Sequence, residues 1–323
     1  MIEKKNVTFE KENLLPFVKL LAESKSGAVV RVKCLGGGSF GLAFEVEHAS
    51  GNVKIVKAFK IADMLNAEAE ALRLLRQASP LSVPEVFYTH SASEEIPINA
   101  LCMERIRGVN ALSSLRFPFL GRRKRANFAE TITDALIKIH GASRDKFGFV
   151  GGAEAAEQFD TWQEFYKKLA NDTFEKAKGF CSVGWLDKAI FSLLEIGMEK
   201  FDYIFADKVE KASLLHGDLN VLNIMVDKKT FAPTGIIDPF NSMWGDREYD
   251  LFQLNAITGQ RYKLYDTYKR KSKCSERVDL KCAFYALVNE CLCHMKSGHC
   301  PPFAYSGISK RLTEQYQKHG IKQ

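Results

Sequence analysis

Proline is scarce in this chain, with 9 residues in 323, and its 22 glycines follow no repeating spacing. Collagen-like, low-complexity and wholly disordered classes are therefore excluded. No internal repeat is present either, and no apolar run approaches the roughly 18 residues that a membrane span needs. The opening stretch, MIEKKNVTFEKEN, carries a charge every few residues and lacks the apolar centre of a secretory signal. Neither export nor membrane insertion is expected, and a cytoplasmic protein is. Cysteine is thinly spread, eight residues between Cys34 and Cys300, which is too sparse for a disulfide scaffold and fits a reducing compartment. No C-x2-C pair exists to suggest zinc. Cys291, Cys293 and His294 have helical spacing, with His299 and Cys300 beyond them, and read as packing residues.

Charge is nearly balanced, 46 Lys+Arg against 39 Asp+Glu for a net +7, which favours anionic ligands without the basic excess of a nucleic-acid binder. The run Arg122–Arg125 has no interleaved aromatics for base stacking and reads as a solvated helix start. What remains is an ordinary globular composition, 46% hydrophobic, with enough length for about two domains.

The hydrophobic period changes along the chain. From Ala28 to Arg105 short alternating runs (AVVRVKCL, LAFEVEH, VKIVKAF, EVFYTH, INALCMERI) predict a small sheet, interrupted by one helix over residues 61–78. Beyond Gly108, residues 126–140, 162–176, 186–207, 248–257 and 278–296 have helical spacing. Two strand-like runs, LNIMVD and TGIID, break that helical pattern between 213 and 240.

Three segments carry chemistry. In CLGGGSFGLAFEV, Gly36, Gly38 and Gly41 have the G-x-G-x-x-G spacing, with Ser39 and Phe40 at the tip. A strand follows this loop where a dinucleotide-binding fold would have a helix. The alternatives are a plain glycine hairpin or a flap whose backbone N–H groups cover a triphosphate. Lys57, on the next-but-one strand, could reach phosphates beneath such a flap, with Lys54 and Lys60 as rivals. Glu68 or Glu70 of the following helix could hold its ammonium; Glu68 fits the apolar stripe better.

The third segment is LLHGDLNVLNIMVD, which puts Asn223 five residues after Asp218, with Asp238 ending the next strand-like run. Two acids and an amide brought together by a hairpin make an oxygen-rich site suited to Mg²⁺. Asp218 would then accept the proton of an acceptor hydroxyl, Asn223 and Asp238 would hold Mg²⁺, and the glycine loop and Lys57 would fix ATP. A capped turn at His216–Asp218 and a simple strand end at Asp238 are the plainer readings of each motif alone.

Taken in order, LGGGSFG, Lys57, Glu68, MERIRG, IHGASRDKFGF, HGDLNVLN, IIDP and WGDREYDL resemble the aminoglycoside phosphotransferase superfamily over most of the chain. FDTWQEFY, LLHGDLN, IIDPFNSMWGDREYDL and LYDTYK look most like its fructosamine (ketosamine) kinase branch. The resemblance implies an α+β, two-lobed protein-kinase-like fold, with an ATP-binding N-lobe over 1–104 and a catalytic C-lobe over 105–323. It implies Asp218 as base, Asn223 and Asp238 as Mg²⁺ ligands, and a Lys57–Glu68 pair on the phosphates. It further implies Met103, Glu104 and Arg105 as the adenine-facing hinge, with His216 and Asp250 supporting the catalytic loop. Asn220 departs from the branch, which usually has a bulky residue there, and the glycine loop is nearer the protein-kinase form.

The expected reaction is transfer of the ATP γ-phosphate to a hydroxyl of a small, amine-bearing sugar. Aminoglycosides or other small alcohols are the alternative acceptors, and a nucleotide-binding protein without activity is the non-enzymatic one. Only residues 239–249 separate Asp238 from Asp250, too few for a protein-kinase activation segment. Residues 151–212 hold twelve Asp+Glu against eight Lys+Arg, an excess that suits an amine-bearing acceptor. Trp162, Phe165 and Tyr166 fall where this family builds its acceptor pocket, with core packing the other reading.

Overall fold

The computed structural model describes residues 9–113, 119–256, 259–298 and 304–322. Helix α1 (Lys11–Ser26) leads into strands β1 (Val29–Gly37), β2 (Gly41–His48) and β3 (Val53–Phe59), then helix α2 (Ala62–Ala78) and strands β4 (Val86–His90) and β5 (Asn99–Glu104). These strands form one antiparallel sheet in the order β1-β2-β3-β5-β4. Alternation gives the inner strands a buried face, as in β2, where Phe44, Val46 and His48 point inward.

One helix was expected in this region, and the structure has another. Residues Leu14, Val18, Leu21 and Ala22 recur at helical spacing, and α1 buries them against Phe44, Val46, Val56 and Ala58. Pro16 lies in the second turn of α1, where it removes one N–H from the helical ladder. The charges between these residues face solvent and mask the stripe.

Past β5 the chain forms the short strand β6 (Val109–Asn110), helix α3 (Arg122–His140), the two-residue strands β7 (Ser143–Arg144) and β8 (Gly148–Phe149), and helix α4 (Trp162–Ser182). Arg122, Arg123 and Lys124 are exposed on the first turn of α3, as read from the sequence. The single helix expected over 186–207 is split into α5 (Lys188–Glu199), capped by Asp187, and α6 (Phe201–Ile204).

Strand β9 (Ala212–Leu214) precedes the loop 215–223, and the hairpin β10 (Ile224–Val226)–β11 (Pro233–Ile236) follows it. β10 also pairs with β6, while β9 joins β12 (Met243–Gly245), β7 and β8 in a second small sheet. The loop is thus clamped between two sheets. The helix expected over 248–257 is a 3-10 turn, Arg247–Asp250, and the short α7 (Leu251–Leu254); Ile257 lies outside the described residues. Helices α8 (Gly259–Tyr262), α9 (Leu264–Lys271), α10 (Val278–Ser297) and α11 (Ala304–Lys318) complete the fold.

The mixed α+β architecture, β-rich first and helical after, is as expected. Trp162 and Tyr166 are core residues, 1% and 0% exposed, stacked on each other and edge-on to Tyr249 and Tyr285. They do not line an acceptor pocket. No helix among the described residues is long and apolar enough to cross a membrane. Cys291, Cys293 and His294 lie on α10, where the His294 ring meets the Tyr305 hydroxyl at 3.3 Å; His299 and Cys300 fall outside the described residues.

The burial of α1 generates a test. Leu14 is fully buried, so Leu14→Ala should cost about 2–5 kcal/mol through lost transfer energy and the cavity left behind. Urea denaturation of the variant against the wild type measures this. A loss below about 0.5 kcal/mol, the range of surface substitutions, would mean that α1 does not dock as described.

Candidate active site

Strand β3 carries Lys54 and Lys57, with Lys60 just past its end, and packing assigns each a different place. The Lys54 ammonium donates to Ser26 Oγ at 2.9 Å, and Lys60 lies over the Phe9 ring. Lys57 alone turns into the cleft, where its ammonium meets Glu68 Oε2 at 2.6 Å and also bonds the Asp238 carboxylate. Glu68 belongs to the buried stripe of α2, while the rival Glu70 pairs with Arg73 outside. Burial opposes the charge on Lys57, but the two carboxylates outweigh it and hold the ammonium well above the ordinary lysine range.

In the glycine loop, Gly36 has φ +108°, which strains any side chain. A Cβ on Gly41 would lie 2.6 Å from the Ala58 carbonyl oxygen, and one on Gly37 2.0 Å from that of Gly41. Gly38 has open space around it, so the crowded middle glycine is Gly37. Ser39 is exposed, and Phe40 stacks on Phe240 with centroids 4.9 Å apart and planes at 11°. The loop tip thereby touches the segment that follows Asp238.

Loop 215–223 is held mostly from beneath. Asp250, fully buried, accepts the backbone N–H groups of His216 at 2.9 Å and Gly217 at 2.7 Å, and faces His140 Nε2 at 3.1 Å. His140 in turn meets the Tyr268 hydroxyl at 2.7 Å. Ser242 Oγ donates to the His216 carbonyl at 2.9 Å, and the Asp218 N–H faces His216 Nδ1 at 3.3 Å. Burial lowers the His216 pKa despite the nearby carboxylates, so the ring stays neutral.

This scaffold presents Asp218 with both carboxylate oxygens occupied by amides. Asn220 Nδ2 donates to one at 2.8 Å and Asn223 Nδ2 to the other at 2.8 Å. Burial, with the Asp238 charge, pushes the Asp218 carboxyl up to about 7, against the two amide bonds. The nitrogen of Asn223 is thus committed to Asp218, leaving its Oδ1 as a hard oxygen donor. Asp238 offers a second, from a half-exposed carboxylate on a backbone at φ +60°. Oxygen donors of this kind fit Mg²⁺.

The sequence motifs thus converge: Lys57 bonds both Glu68 and Asp238, and Asp218 accepts from both Asn220 and Asn223. At the end of β5, Glu104 takes Arg76 at 2.8 Å and Arg105 takes Glu45 at 2.6 Å. The side chains of Glu104 and Arg105 are thus committed, Met103 is half-buried, and the Glu104 N–H donates to the Glu85 carbonyl at 2.8 Å. Sequence reasoning treated Asn220 as a departure and missed Phe240, Ser242, His140 and Tyr268. All five lie inside motifs the sequence offered, Asn220 in HGDLN, Phe240 and Ser242 in IIDPFNSMWGDREYDL, His140 in IHGASRDKFGF and Tyr268 in LYDTYK, but their roles were not read there. On α10, the Cys293 thiol, pushed up to about 12 by burial, feels the charges of Glu290, Asp218 and Lys296.

Comparison with known proteins bears on this arrangement. The chain is 20% identical over 228 residues to the uncharacterized protein YcbJ of Escherichia coli (strain K12), covering 69% of this chain and 73% of that one. Its fold resembles that of a thermostable mutant of aminoglycoside phosphotransferase APH(4)-Ia in its apo form, with TM-score 0.72, 16% identity, and coverage of 94% of this chain and 100% of that chain. A ternary complex of such a mutant with AMP-PNP and hygromycin B superposes with TM-score 0.69 at 15% identity, covering 94% and 99%. A protein from Thermobifida fusca YX-ER1, provisionally named a fructosamine-3-kinase, matches with TM-score 0.65 and 20% identity over 93% of this chain and 98% of its own. The family model described as "Phosphotransferase enzyme family" matches residues 33–272, most of the chain and every motif of the site, and the chain therefore belongs to that family.

Proposed function

We propose that this protein is an ATP-dependent small-molecule kinase that transfers the γ-phosphate to a hydroxyl of an amine-bearing sugar of the fructosamine (ketosamine) kind. The observation that carries the reading is the Lys57 ammonium bonded to both Glu68 and Asp238, close to an Asp218 whose carboxylate is fixed by two amides. Phosphoryl transfer needs positioning and charge neutralisation more than covalent help from the protein, and these groups supply both. We assign residues 1–104 to the nucleotide-binding lobe and 105–323 to the catalytic lobe.

In this reading Lys57, oriented by Glu68, holds the phosphates under the loop of Gly36, Gly38, Ser39, Phe40 and Gly41. Asn223 Oδ1 and the Asp238 carboxylate hold Mg²⁺, which supplies positive charge against the β- and γ-phosphates when bound. The backbone of Met103–Arg105 faces the adenine. Asp218 accepts the acceptor's hydroxyl proton, and His216 and Asp250 keep its loop in place. The AMP-PNP and hygromycin B complex of APH(4)-Ia supports a nucleotide and an amino-sugar sharing this fold. Aminoglycosides remain the alternative acceptor class, and the assay separates the two.

Mg²⁺-dependent ADP release is measured with a fructosyl-amine and with kanamycin. Turnover with the fructosyl-amine alone is expected; turnover with kanamycin alone would replace the acceptor assignment. Asp218→Asn should lower kcat by about 10²–10⁴ while nucleotide binding persists. Unchanged turnover in that variant would refute the base.

The pH profile gives a further check. Asp218 works as its anion, so kcat/KM should fall with protonation, about tenfold per pH unit below an apparent pKa near neutrality. The amide of Asn220 favours the anion, so Asn220→Ala should move this acid limb to higher pH. A limb that stays in place, or moves down, would contradict the role of the amide.

A further inference from the structure

The basic run 122–125 opens α3, and the fold brings further cations to it. Lys124 lies over the ring of Phe231, 5.3 Å from its centroid, which seats the turn of the β10–β11 hairpin, with Lys228 and Lys229, beside the start of the helix. Phe128 of α3 likewise packs on Tyr262 of α8, with ring centroids 5.4 Å apart, and the Tyr262 hydroxyl feels the charges of both Arg261 and Arg125. Three elements thus gather seven cations on one stretch of surface, all exposed except the half-buried Arg125.

Among the described residues none of the seven is in an ion pair, whereas Arg270 and Lys271 of the adjoining α9 are paired with Glu130 and Asp134. The acids of the three elements are already spent. Glu130 and Asp134 serve those pairs, and the Asp227 carboxylate accepts the Lys229 and Thr230 N–H groups of its own turn at 2.9 and 2.7 Å. Like charges gathered without partners repel one another, so the arrangement costs stability and is relieved when anions cover it.

One apolar side chain separates the polyanions that could do so. Phe119, three residues before Arg122, is 82% exposed, more than any other large apolar side chain among the described residues. A nucleic-acid strand calls for successive rings on which its bases stack, and the described patch offers one exposed ring. A lone ring beside cations suits a membrane surface, where the ring enters between headgroups and the cations meet anionic lipid.

We propose that this face, formed by the run 122–125 with Lys228, Lys229, Arg261 and Phe119, docks the protein peripherally on a membrane surface rich in anionic lipid. None of these residues belongs to the site around Lys57 and Asp218, so docking stands apart from the phosphotransfer reading.

Co-sedimentation of the full chain with vesicles of phosphatidylcholine and phosphatidylserine, beside vesicles of phosphatidylcholine alone, tests this. Binding to the mixed vesicles alone is expected, and it should weaken as salt rises, because screening shortens the reach of the cations. The triple variant Arg122→Gln, Arg123→Gln, Lys124→Gln should lower vesicle affinity on the order of a hundredfold, at about fivefold per cation, and Phe119→Ser by about threefold or more. All four side chains are exposed, so both variants should melt at the wild-type temperature. No sedimentation of wild-type protein with the mixed vesicles, equal sedimentation with phosphatidylcholine alone, tighter binding to a polyuridylate strand than to the mixed vesicles, or vesicle affinity unchanged in either variant would each overturn the proposal.

Discussion

The Lys57 ammonium sits between the carboxylates of Glu68 and Asp238, and Asp238 lies 181 positions further along the chain than the lysine. Three elements meet at that one charge: the central strand β3, helix α2 and the end of the β10–β11 hairpin. Glu68 is almost wholly buried, so removing the lysine would leave a desolvated carboxylate uncompensated, whereas Asp238 keeps half its surface in water. The pair with Glu68 is therefore the costly part to break, and the contact with Asp238 the part that can exchange partners.

The catalytic loop depends on a second buried charge. Asp250 reaches the His216 and Gly217 amides only because the turn before it is itself anchored. Asp246 caps that turn at the Glu248 N–H, 3.0 Å away, and Lys281 of α10, 2% exposed, bonds both Asp246 and Glu248. Glu248 also accepts the Ser275 hydroxyl at 2.6 Å, and Tyr285 donates to Asp246 at 3.0 Å. With every member partnered, a buried network of this kind fixes one arrangement of the backbone. It transmits the position of α10 to the loop that carries Asp218.

Much of this was legible in the sequence, because the chemistry resides in short motifs whose spacing survives without coordinates. Lys57, Glu68, Asp218, Asn223 and Asp238 were each named from local pattern, and the structure bonds them as two clusters. What escaped was of two kinds. Helix α1 was hidden because charged residues separate its apolar positions closely enough to resemble a solvated tail. The supporting roles of His140, Tyr268 and Ser242 were hidden, although all three lie inside quoted motifs, because nothing local shows which residue braces a partner about 110 positions away, as His140 does for Asp250. Trp162 and Tyr166 show the converse: aromatics at helical spacing near a pocket region turned out to be core, the commoner fate of large aromatic side chains.

Gly217 links the loop's geometry to how the site is controlled. Its φ is +80°, and a Cβ there would lie 2.0 Å from the Phe240 carbonyl oxygen, so no other residue fits without moving one of the two segments. In protein kinases this position often carries an arginine that pairs with a phosphate on a long activation segment. Here the segment after Asp238 is short and packs straight onto Gly217, filling the space such an arginine would need. Phe240 of that segment then stacks on Phe40 at the tip of the glycine loop. Direct backbone and ring contact thus holds loop 215–223, the segment after Asp238 and the tip of the glycine loop together, with no added group.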